Sequence, residues 1–363
     1  MEERDVLLML HETKGIGWKT ILYLKNELSD LRQIFQMGVQ DWQHLSLPQK
    51  KFETIQKNLQ NLFMEQQKML YAKRKIGFIT IFDAEYPELL KQTAEPPWVI
   101  YYRGNPDYLS RPKLSMVGTR YPSSYGKRAA VELSRELSRA GICVVSGLAR
   151  GIDRAAHMGA LEEEGGTIAV LGCAIDTIYP QENNELAERI TEAGLIISEY
   201  PAGTPMHPGL FPQRNRIIAG LSYGTVVIEA QSKSGALITA DQALEESRDV
   251  FALPGSIYAP NSQGTLQLIK QGAKMITSAE DILEEYAHLH LVKQTNPEQA
   301  KKGRAALSPE EERVYSCLSS DPLHIDRLVE QTGLSFGHLN GLLLSLLIKL
   351  QIEQLPGANY TVT

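Results

Sequence analysis

The sequence predicts an α/β protein whose main domain is a doubly wound, Rossmann-like parallel sheet, with an all-helical domain before it and a winged-helix domain after it. Between residues 76 and 290, short apolar runs alternate with helical stretches, which is the pattern of parallel strands joined by crossover helices. Residues 1–72 show helical periodicity without β-branched runs, and residues 307–363 show two helices followed by a hairpin pattern. A chain of 363 residues has room for two or three domains.

The helical segment 1–72 contains one glycine-rich turn, Lys14–Thr20. A Gly-x-Gly turn that leads into a helix is similar to the hairpin of helix-hairpin-helix modules, where backbone N–H groups at the helix start meet a phosphate. The same turn also fits a plain helix connection, because glycine adopts the positive φ that such turns need. Both interpretations stay open, and the domain is predicted as helix-hairpin-helix or SAM-like.

The predicted sheet rests on six short, continuous apolar runs, as expected for strands buried on both faces. These runs are Lys113–Val117, Ile142–Ser146, Thr167–Leu171, Leu195–Ser198, Thr225–Ile228 and Val250–Leu253. Helical stretches lie between them, among them Tyr125–Ala140, Asp153–Glu164 and Ala236–Glu246. Ligands of such sheets bind beyond the carboxyl ends of the strands, so the loops that follow the runs are the predicted site.

The strand-end loops are rich in Gly, Ser, Arg and Lys. They are Val117–Arg120, Ser146–Asp153, Gly172–Ala174, Phe211–Ser222 and Lys233–Thr239. Glycine lets a phosphate approach the backbone, hydroxyls donate to it, and Arg or Lys neutralises it. Turn chemistry would explain any one of these loops, but several on one sheet edge predict a phosphate- or nucleotide-binding edge.

The charge distribution supports a polyanionic ligand although the formal net charge is −6. Nine basic and three acidic residues lie between Tyr101 and Arg150. Between Leu161 and Glu199 there are nine acidic residues and one basic residue, Arg189. Helical surface pairs explain part of the basic excess. Arg120 and Arg150 lie in loops instead, which makes them candidates for ligand contacts.

The sequence predicts a non-enzymatic, cytoplasmic protein without metal, cofactor or disulfide bond. The nearest approach to a Walker loop, Gly118–Arg128, has the wrong spacing and the wrong final residue. Asp153 and His157 are one helical turn apart, but Asp153 is placed to cap its helix and His157 to bond locally. The three cysteines lie outside any cluster with metal-ligand spacing. No apolar run is long enough to span a membrane, and Met1–Asp5 does not resemble an export signal.

The C-terminal segment 307–363 follows a polar, charged linker that is predicted at residues 291–306. Ser308–Glu311 has a cap, a proline and acids in the order that a helix start prefers. Two helices and a two-stranded wing are predicted after it, at Ile325–Thr332, Phe336–Leu350 and Ile352–Val362. The segment has seven acids and three bases, and its recognition helix offers only Lys349 as a cation. Because duplex binding needs many phosphate contacts, a protein-contact or auxiliary role is predicted rather than duplex regulation.

Residues Pro97–Leu283 resemble the DNA-processing protein A (DprA, or Smf) family of bacterial transformation proteins. The motifs that carry the resemblance, in the family's order, are VGTR with YPSSYG, SGLARGID, LGCAIDTIYP, SEYP, FPQRNRIIAGLS, KSGALITA and RDVFALPG. The helical head and the C-terminal module match the family's three-part layout. Three positions depart from it, since Ala174, Ala236 and Leu266 stand where the family often has Gly, Ser and Asn.

The resemblance implies that the protein binds single-stranded DNA without sequence preference, dimerises through the Rossmann-like domain and helps load the RecA recombinase. It implies that Arg120 grips a phosphate and that the Ser146-Gly147 turn lines the pocket with backbone and hydroxyl donors. Phe211 is expected to stack on a base, with burial beneath its loop as the alternative. The candidate nucleic-acid-binding residues are Gly118, Arg120, Ser146, Gly147, Arg150, His207, Phe211, Arg214, Asn215, Arg216, Lys233, Ser234 and Gly235. Only one of Arg214 and Arg216 is expected to face DNA, and Lys233 is either a phosphate contact or a solvated loop lysine.

An enzyme of the related phosphoribohydrolase type is the alternative on this fold. Such enzymes carry Pro-Gly-Gly-x-Gly-Thr-x-x-Glu, which joins phosphate binding to a catalytic acid. The closest stretch is Pro254-Gly255-Ser256, and Gln267-Leu268 stand where the acid would fall after Gly264-Thr265. The sequence therefore lacks this motif.

Overall fold

The computed structural model describes residues 2–45, 47–60, 63–289, 307–319, 322–349 and 351–362. Residues up to 121 and from 130 to 289 form one compact unit, and residues 122–129 together with those from 307 onward form a second. The linker predicted at 291–306 lies outside the described residues. No helix of the described ranges is long and apolar enough to cross a membrane.

The N-terminal segment is helical, as predicted. Its helices are α1 (Glu3–Glu12), α2 (Trp18–Glu27), α3 (Val39–His44), α4 (Gln49–Gln60) and α5 (Phe63–Lys73). Gly15 has a φ of +86°, and Gly17 is the N-cap of α2. This turn geometry is common to the helix-hairpin-helix interpretation and to a plain connection, so phosphate binding at the turn stays a prediction.

The helical segment shares a core with the sheet. Indole N–H groups fasten the two parts together: Trp18 Nε1 donates to the Pro96 carbonyl at 2.8 Å, and Trp98 Nε1 donates to the Trp18 carbonyl at 3.2 Å. Tyr101 of the sheet is fully buried against the helices, and its hydroxyl contacts Glu12 at 3.0 Å. The helices are therefore packed on the sheet rather than tethered to it.

The sheet has nine strands in the described residues, and helices connect them. The elements in chain order are β1 (Gly77–Thr80), α6 (Glu88–Lys91), β2 (Val99–Gly104), β3 (Lys113–Val117), α7 (Ser124–Arg139), β4 (Cys143–Ser146), α8 (Ile152–Ala160), β5 (Thr167–Val170), α9 (Asn184–Ala193), β6 (Leu195–Ser198), α10 (Leu210–Gly220), β7 (Gly224–Val227), α11 (Gly235–Glu245), β8 (Asp249–Ala252), α12 (Gln263–Lys270), β9 (Lys274–Met275) and α13 (Glu280–Leu283). The strands are ordered β1-β2-β6-β5-β4-β3-β7-β8-β9. All neighbours from β6 to β9 are parallel.

Apolar residues cover both faces of this sheet, which confirms the doubly wound α/β fold. Ala169 and Ile196 belong to the core under α9, whereas Ile168 and Ile197 belong to the core on the opposite face. The antiparallel strands β1 and β2 were not predicted. Helix α8 ends at Ala160, four residues before its predicted end.

The winged-helix segment has the predicted elements and one additional short strand. They are α14 (Pro309–Ser316), β10 (Leu323–His324), α15 (Ile325–Thr332), α16 (Phe336–Ile348), β11 (Ile352–Leu355) and β12 (Asn359–Val362). Ser308 and Glu311 form a capping box at the start of α14. Glu311 also accepts from Lys349 Nζ at 2.6 Å and from Ser345 Oγ at 2.7 Å. Lys349 and these hydrogen bonds lower the pKa of Glu311 to about 2. The cation that the recognition helix was predicted to offer is thus paired with a carboxylate.

Candidate nucleic-acid interface

The sheet has one point where the chain reverses direction across it, between β3 and β7. From β3 the chain runs outward through β4, β5 and β6, and then returns to β7 on the other side of β3. Loops from neighbouring strands diverge at such a switch point and leave a crevice beyond the strand ends. A cleft of about 700 Å³ lies there, lined by the loops after β3 and β7 and by α10.

Eight of the thirteen candidate residues line this cleft. They are Gly118, Arg120, Phe211, Arg214, Asn215, Lys233, Ser234 and Gly235. The other five, Ser146, Gly147, Arg150, His207 and Arg216, do not line it. The strand-end loops therefore converge as expected, although individual side chains differ in what they offer a ligand.

Two cations reach the cleft with their charge uncompensated. Arg120 and Lys233 are exposed and line it, and within the described residues neither forms an ion pair. Arg120 follows β3 and Lys233 precedes α11, so they lie on the two walls of the switch point. Directly after Lys233, α11 begins with Ser234 as its N-cap, whose side chain accepts from the Ala236 N–H at 3.3 Å. A helix N-terminus that lines a cleft together with two cations favours an anion there.

Arg214 and Asp153 form the floor of the cleft and are nearly buried. The Arg214 guanidinium donates to the Gly147 carbonyl at 2.7 Å and to the Val170 carbonyl. Burial raises the pKa of Asp153, and the charge of Arg214 opposes that rise. Arg216 instead pairs with Glu199 at 2.6 Å. Protein groups therefore engage both guanidinium groups, and which of the two arginines faces DNA stays a prediction.

The Ser146-Gly147 turn, which was expected to line the pocket with donors, does not line the cleft in this structure. Ser146 is fully buried, and its hydroxyl donates to the Met116 carbonyl at 2.7 Å. The Gly147 N–H donates to Asp153 Oδ2 at 3.1 Å. A Cβ on Gly147 would lie 2.5 Å from Arg214 Nη2. This turn builds the floor of the cleft rather than its ligand-facing surface.

Arg150 and His207 lie near the cleft without lining it. Arg150 Nε pairs with Glu182 Oε1 at 2.8 Å, and both side chains are about half exposed. His207 is exposed, and its Nδ1 accepts from the Gly209 N–H at 3.1 Å. Its neighbours Met206 and Pro208 do line the cleft. A contact of Arg150 or His207 with DNA therefore stays a prediction.

More aromatic residues line the cleft than the sequence analysis predicted. Phe211 is partly buried, and its ring centroid lies 5.5 Å from that of Tyr179. Tyr121 also lines the cleft. Both tyrosines were overlooked, although each stands inside a quoted motif, Tyr121 directly after Arg120 and Tyr179 before Pro180. Their position in or beside strand-end loops could have identified them as cleft residues.

The groups that were considered for catalysis have structural roles. His157 Nε2 accepts from the Leu148 N–H at 3.3 Å, and its Nδ1 contacts Thr167 Oγ1 at 2.7 Å. Asp153 accepts backbone N–H groups of the loop before its helix. Among the residues that the structure describes, no three His, Cys, Asp or Glu side chains are placed to hold a metal ion.

The family model of the DNA recombination-mediator protein A matches residues 77–287, which is more than half of the chain. The chain belongs to this family. The model of the DprA winged-helix domain matches residues 298–358. Membership places the chain among DNA-processing proteins and confirms the resemblance seen in the sequence.

Curated relatives and solved structures agree with this assignment. Protein Smf of Synechocystis is 37% identical over 80% of this chain and 81% of its own length. DNA processing protein DprA of Bacillus subtilis is 42% identical over 67% of this chain and 83% of its own length. The X-ray structure of DprA from Streptococcus pneumoniae superposes with a TM-score of 0.68 at 35% identity, over 78% of this chain and 99% of that one.

A second solved structure bears on the ligand. It is DNA processing protein A from Helicobacter pylori, whose structure is described as giving insights into a unique single-stranded DNA binding mode. It is 31% identical, has a TM-score of 0.53 and covers 58% of this chain and 96% of that one.

Proposed function

We propose that this protein binds single-stranded DNA, without sequence preference, in the cleft between β3 and β7. The observation that carries the proposal is the pair of uncompensated cations, Arg120 and Lys233, on opposite walls at a switch point. The Helicobacter pylori relative, whose structure is described in terms of its single-stranded DNA binding mode, supports single-stranded DNA as the ligand. We place this activity in a Rossmann-like domain at residues 76–290, with the helical domain at 1–72 and the winged helix at 307–363 as auxiliary domains.

The chemistry of the cleft favours a single strand over a duplex. Arg120 and Lys233 neutralise phosphates, and the start of α11 adds backbone N–H donors. The aromatic side chains that line the cleft offer surfaces on which unpaired bases stack, whereas the bases of a duplex are already stacked on each other. Phosphate contacts and stacking both ignore base identity, so binding is sequence-independent.

The first prediction concerns the salt dependence of this binding. Each phosphate contact to a single strand contributes about 0.7 to the slope of log K against log salt. Arg120→Ala and Lys233→Ala are each expected to lower that slope by about 0.7, and the double variant by about 1.4. Fluorescence anisotropy with labelled oligothymidylate over a salt series measures it.

The controls are Arg189→Ala and Lys91→Ala, which remove exposed cations from α9 and α6, away from the cleft lining. They are expected to keep the wild-type slope. If Arg120→Ala and Lys233→Ala also keep it, these residues do not contact phosphates.

The cellular role that we infer is delivery of single-stranded DNA to the RecA recombinase in the cytoplasm during natural transformation, without ATP consumption by this protein. The description of the family as recombination mediators supports this role. A homodimer that joins two clefts on one strand would raise affinity through avidity. A candidate surface is the sheet edge at β9, where Met275 is exposed and where Lys274 shares a surface pocket with the exposed Leu244 of α11, since an open edge strand is a ready site of pairing.

The second prediction tests this assembly. Met275→Lys places a charge on the β9 edge and is expected to shift the mass measured by light scattering from dimer to monomer. The same variant is expected to stimulate the formation of RecA filaments less than wild type on strands that are coated with single-strand-binding protein.

A wild-type protein that is monomeric and still stimulates RecA would contradict the dimer, and a DNA-binding dimer without stimulation would contradict RecA loading. Nucleotide hydrolysis by the purified protein would contradict the non-enzymatic role.

A further inference from the structure

The base-stacking role that the sequence suggested for Phe211 is limited by how this ring is held. A Cβ on Gly172 would lie 2.5 Å from Phe211 Cδ1 and 3.1 Å from Phe211 Cα, so the ring sits directly on the backbone after β5. Tyr179 packs beside it, with the ring planes tilted by 53°. Phe211 thus has one side against protein, and it acts as a support for Tyr179.

Two tyrosines at the cleft keep much of their ring surface in solvent. Tyr121 is 77% exposed and Tyr179 is 46% exposed, and both line the cleft. Large exposed aromatic rings beside a charged cleft need an explanation, because solvent exposure of a ring loses the stabilisation that burial would provide. Stacking on a ligand supplies that burial.

The backbone of Tyr121 is fixed although its side chain is exposed. Its N–H donates to Thr119 Oγ1 at 3.2 Å, and its carbonyl accepts from Asn261 Nδ2 at 3.0 Å. Asn261 is itself held, because its carbonyl accepts from the Ala230 N–H at 2.7 Å and its Oδ1 from Gln231 Nε2 at 3.1 Å. The loops after β3, β7 and β8 are therefore tied together at the residue that presents this ring.

The two rings stand on walls that are two strands apart. Tyr121 follows β3 and Tyr179 follows β5, with β4 between them. At about 4.8 Å per strand, the ends of β3 and β5 are roughly 10 Å apart. Both rings line the same cleft, so they border one region.

We propose that Tyr121 and Tyr179 form a nucleobase-stacking site, in which bases of one single strand stack on the two rings while Arg120 and Lys233 hold its phosphates. This inference rests on the proposed function and adds the groups that bind the bases. Phe211 and Asn261 are positioning residues, which fix the two tyrosines without carrying the stacking surface themselves. The ligand class is any unpaired nucleobase, because every base has a π-face.

The experiment compares Tyr121→Ala and Tyr179→Ala with wild type, using oligothymidylate and an abasic strand of the same length. Loss of stacking on one base costs about 1–3 kcal/mol, which is about a 5- to 150-fold weaker affinity for oligothymidylate. The salt slope is expected to stay unchanged, because the phosphate contacts remain. Tyr121→Phe and Tyr179→Phe are expected to bind like wild type.

The matched control is Tyr258→Ala, since this tyrosine is 88% exposed and does not line the cleft. Wild type is expected to bind the abasic strand more weakly than oligothymidylate, and the Tyr121→Ala/Tyr179→Ala double variant to bind both strands equally. If the alanine variants bind oligothymidylate like wild type while Arg120→Ala lowers the salt slope, the stacking site is wrong and the proposed function stands. Wild-type protein that binds no single-stranded DNA would overturn both.

Discussion

Replacing Arg214 by methionine is expected to lower the free energy of unfolding by about 3–5 kcal/mol, which is the usual cost of removing one partner from a buried charged group. Arg214 is 5% exposed, and its guanidinium donates to the carbonyls of Gly147 and Val170. Without it, both carbonyls lose a buried donor and the Asp153 carboxylate loses the compensating charge of Arg214. Urea denaturation followed by circular dichroism measures the effect as a lower midpoint.

Arg150→Met is the matched control, because Arg150 is half exposed and its ion pair with Glu182 is on the surface. We expect little or no change in the urea midpoint for Arg150→Met, because exposed ion pairs contribute little to stability. Asp153→Asn combined with Arg214→Met is expected to be less destabilising than the sum of the single changes, since the neutral amide that replaces the carboxylate no longer needs the arginine. Strictly additive effects, or an unchanged midpoint in Arg214→Met, would show that the guanidinium does not stabilise this floor.

The parallel part of the sheet could be predicted because its signal is local. A strand buried on both faces reads as an unbroken apolar run, and observed strands such as Lys113–Val117 and Leu195–Ser198 coincide with such runs. The strands Gly77–Thr80 and Val99–Gly104 were missed because they pair antiparallel and outside the βαβ repeat. Nothing in a short stretch of sequence shows which distant strand it joins.

The location of the candidate site could be predicted, whereas several individual roles could not. Strand-end loops of a doubly wound sheet meet at the switch point regardless of their detailed sequence, so Arg120 and Lys233 were found as cleft residues. Ser146 and Arg214 also belong to residue types that contact phosphates. Their hydrogen-bond partners, however, are Met116 and Gly147, which lie 30 and 67 residues away in the chain. Whether a polar group faces a ligand or another part of the protein depends on such tertiary contacts.

Acidification from pH 7.5 to 5.5 is expected to destabilise the protein by about 3 kcal/mol through two histidines, His157, which is fully buried, and His11, which is partly buried. Burial lowers the pKa of His157 to about 3 and that of His11 to about 4, whereas histidine in the unfolded chain titrates near 6.5. The unfolded state therefore binds protons that the native state does not bind. The stability from each neutral imidazole is fully present above about pH 6.5 and is lost as the pH falls toward the native pKa. Over this interval the loss is about 1.4 kcal/mol per histidine.

The hydrogen bonds explain why His157 stays neutral in the native state. Thr167 Oγ1 donates to the Val144 carbonyl at 2.6 Å, so it accepts the proton of His157 Nδ1. His157 Nε2 must then remain unprotonated, because it accepts from the Leu148 N–H. Protonation would break this contact and place a charge in a fully buried site.

His157→Gln is the decisive variant, measured by urea denaturation at pH 7.5 and 5.5 against wild type. Between pH 7.5 and 5.5, this variant is expected to lose about 1.4 kcal/mol less free energy of unfolding than wild type, whatever its absolute stability. The control is His207→Gln, which removes an exposed histidine and is expected to lose as much as wild type. Burial raises the pKa values of Glu12 and Asp153, which acts in the opposite sense, because the native state then binds protons more readily. Comparison with wild type at the same pH cancels their contribution. A His157→Gln protein with the full wild-type pH dependence would show that this imidazole is not the group that titrates on unfolding.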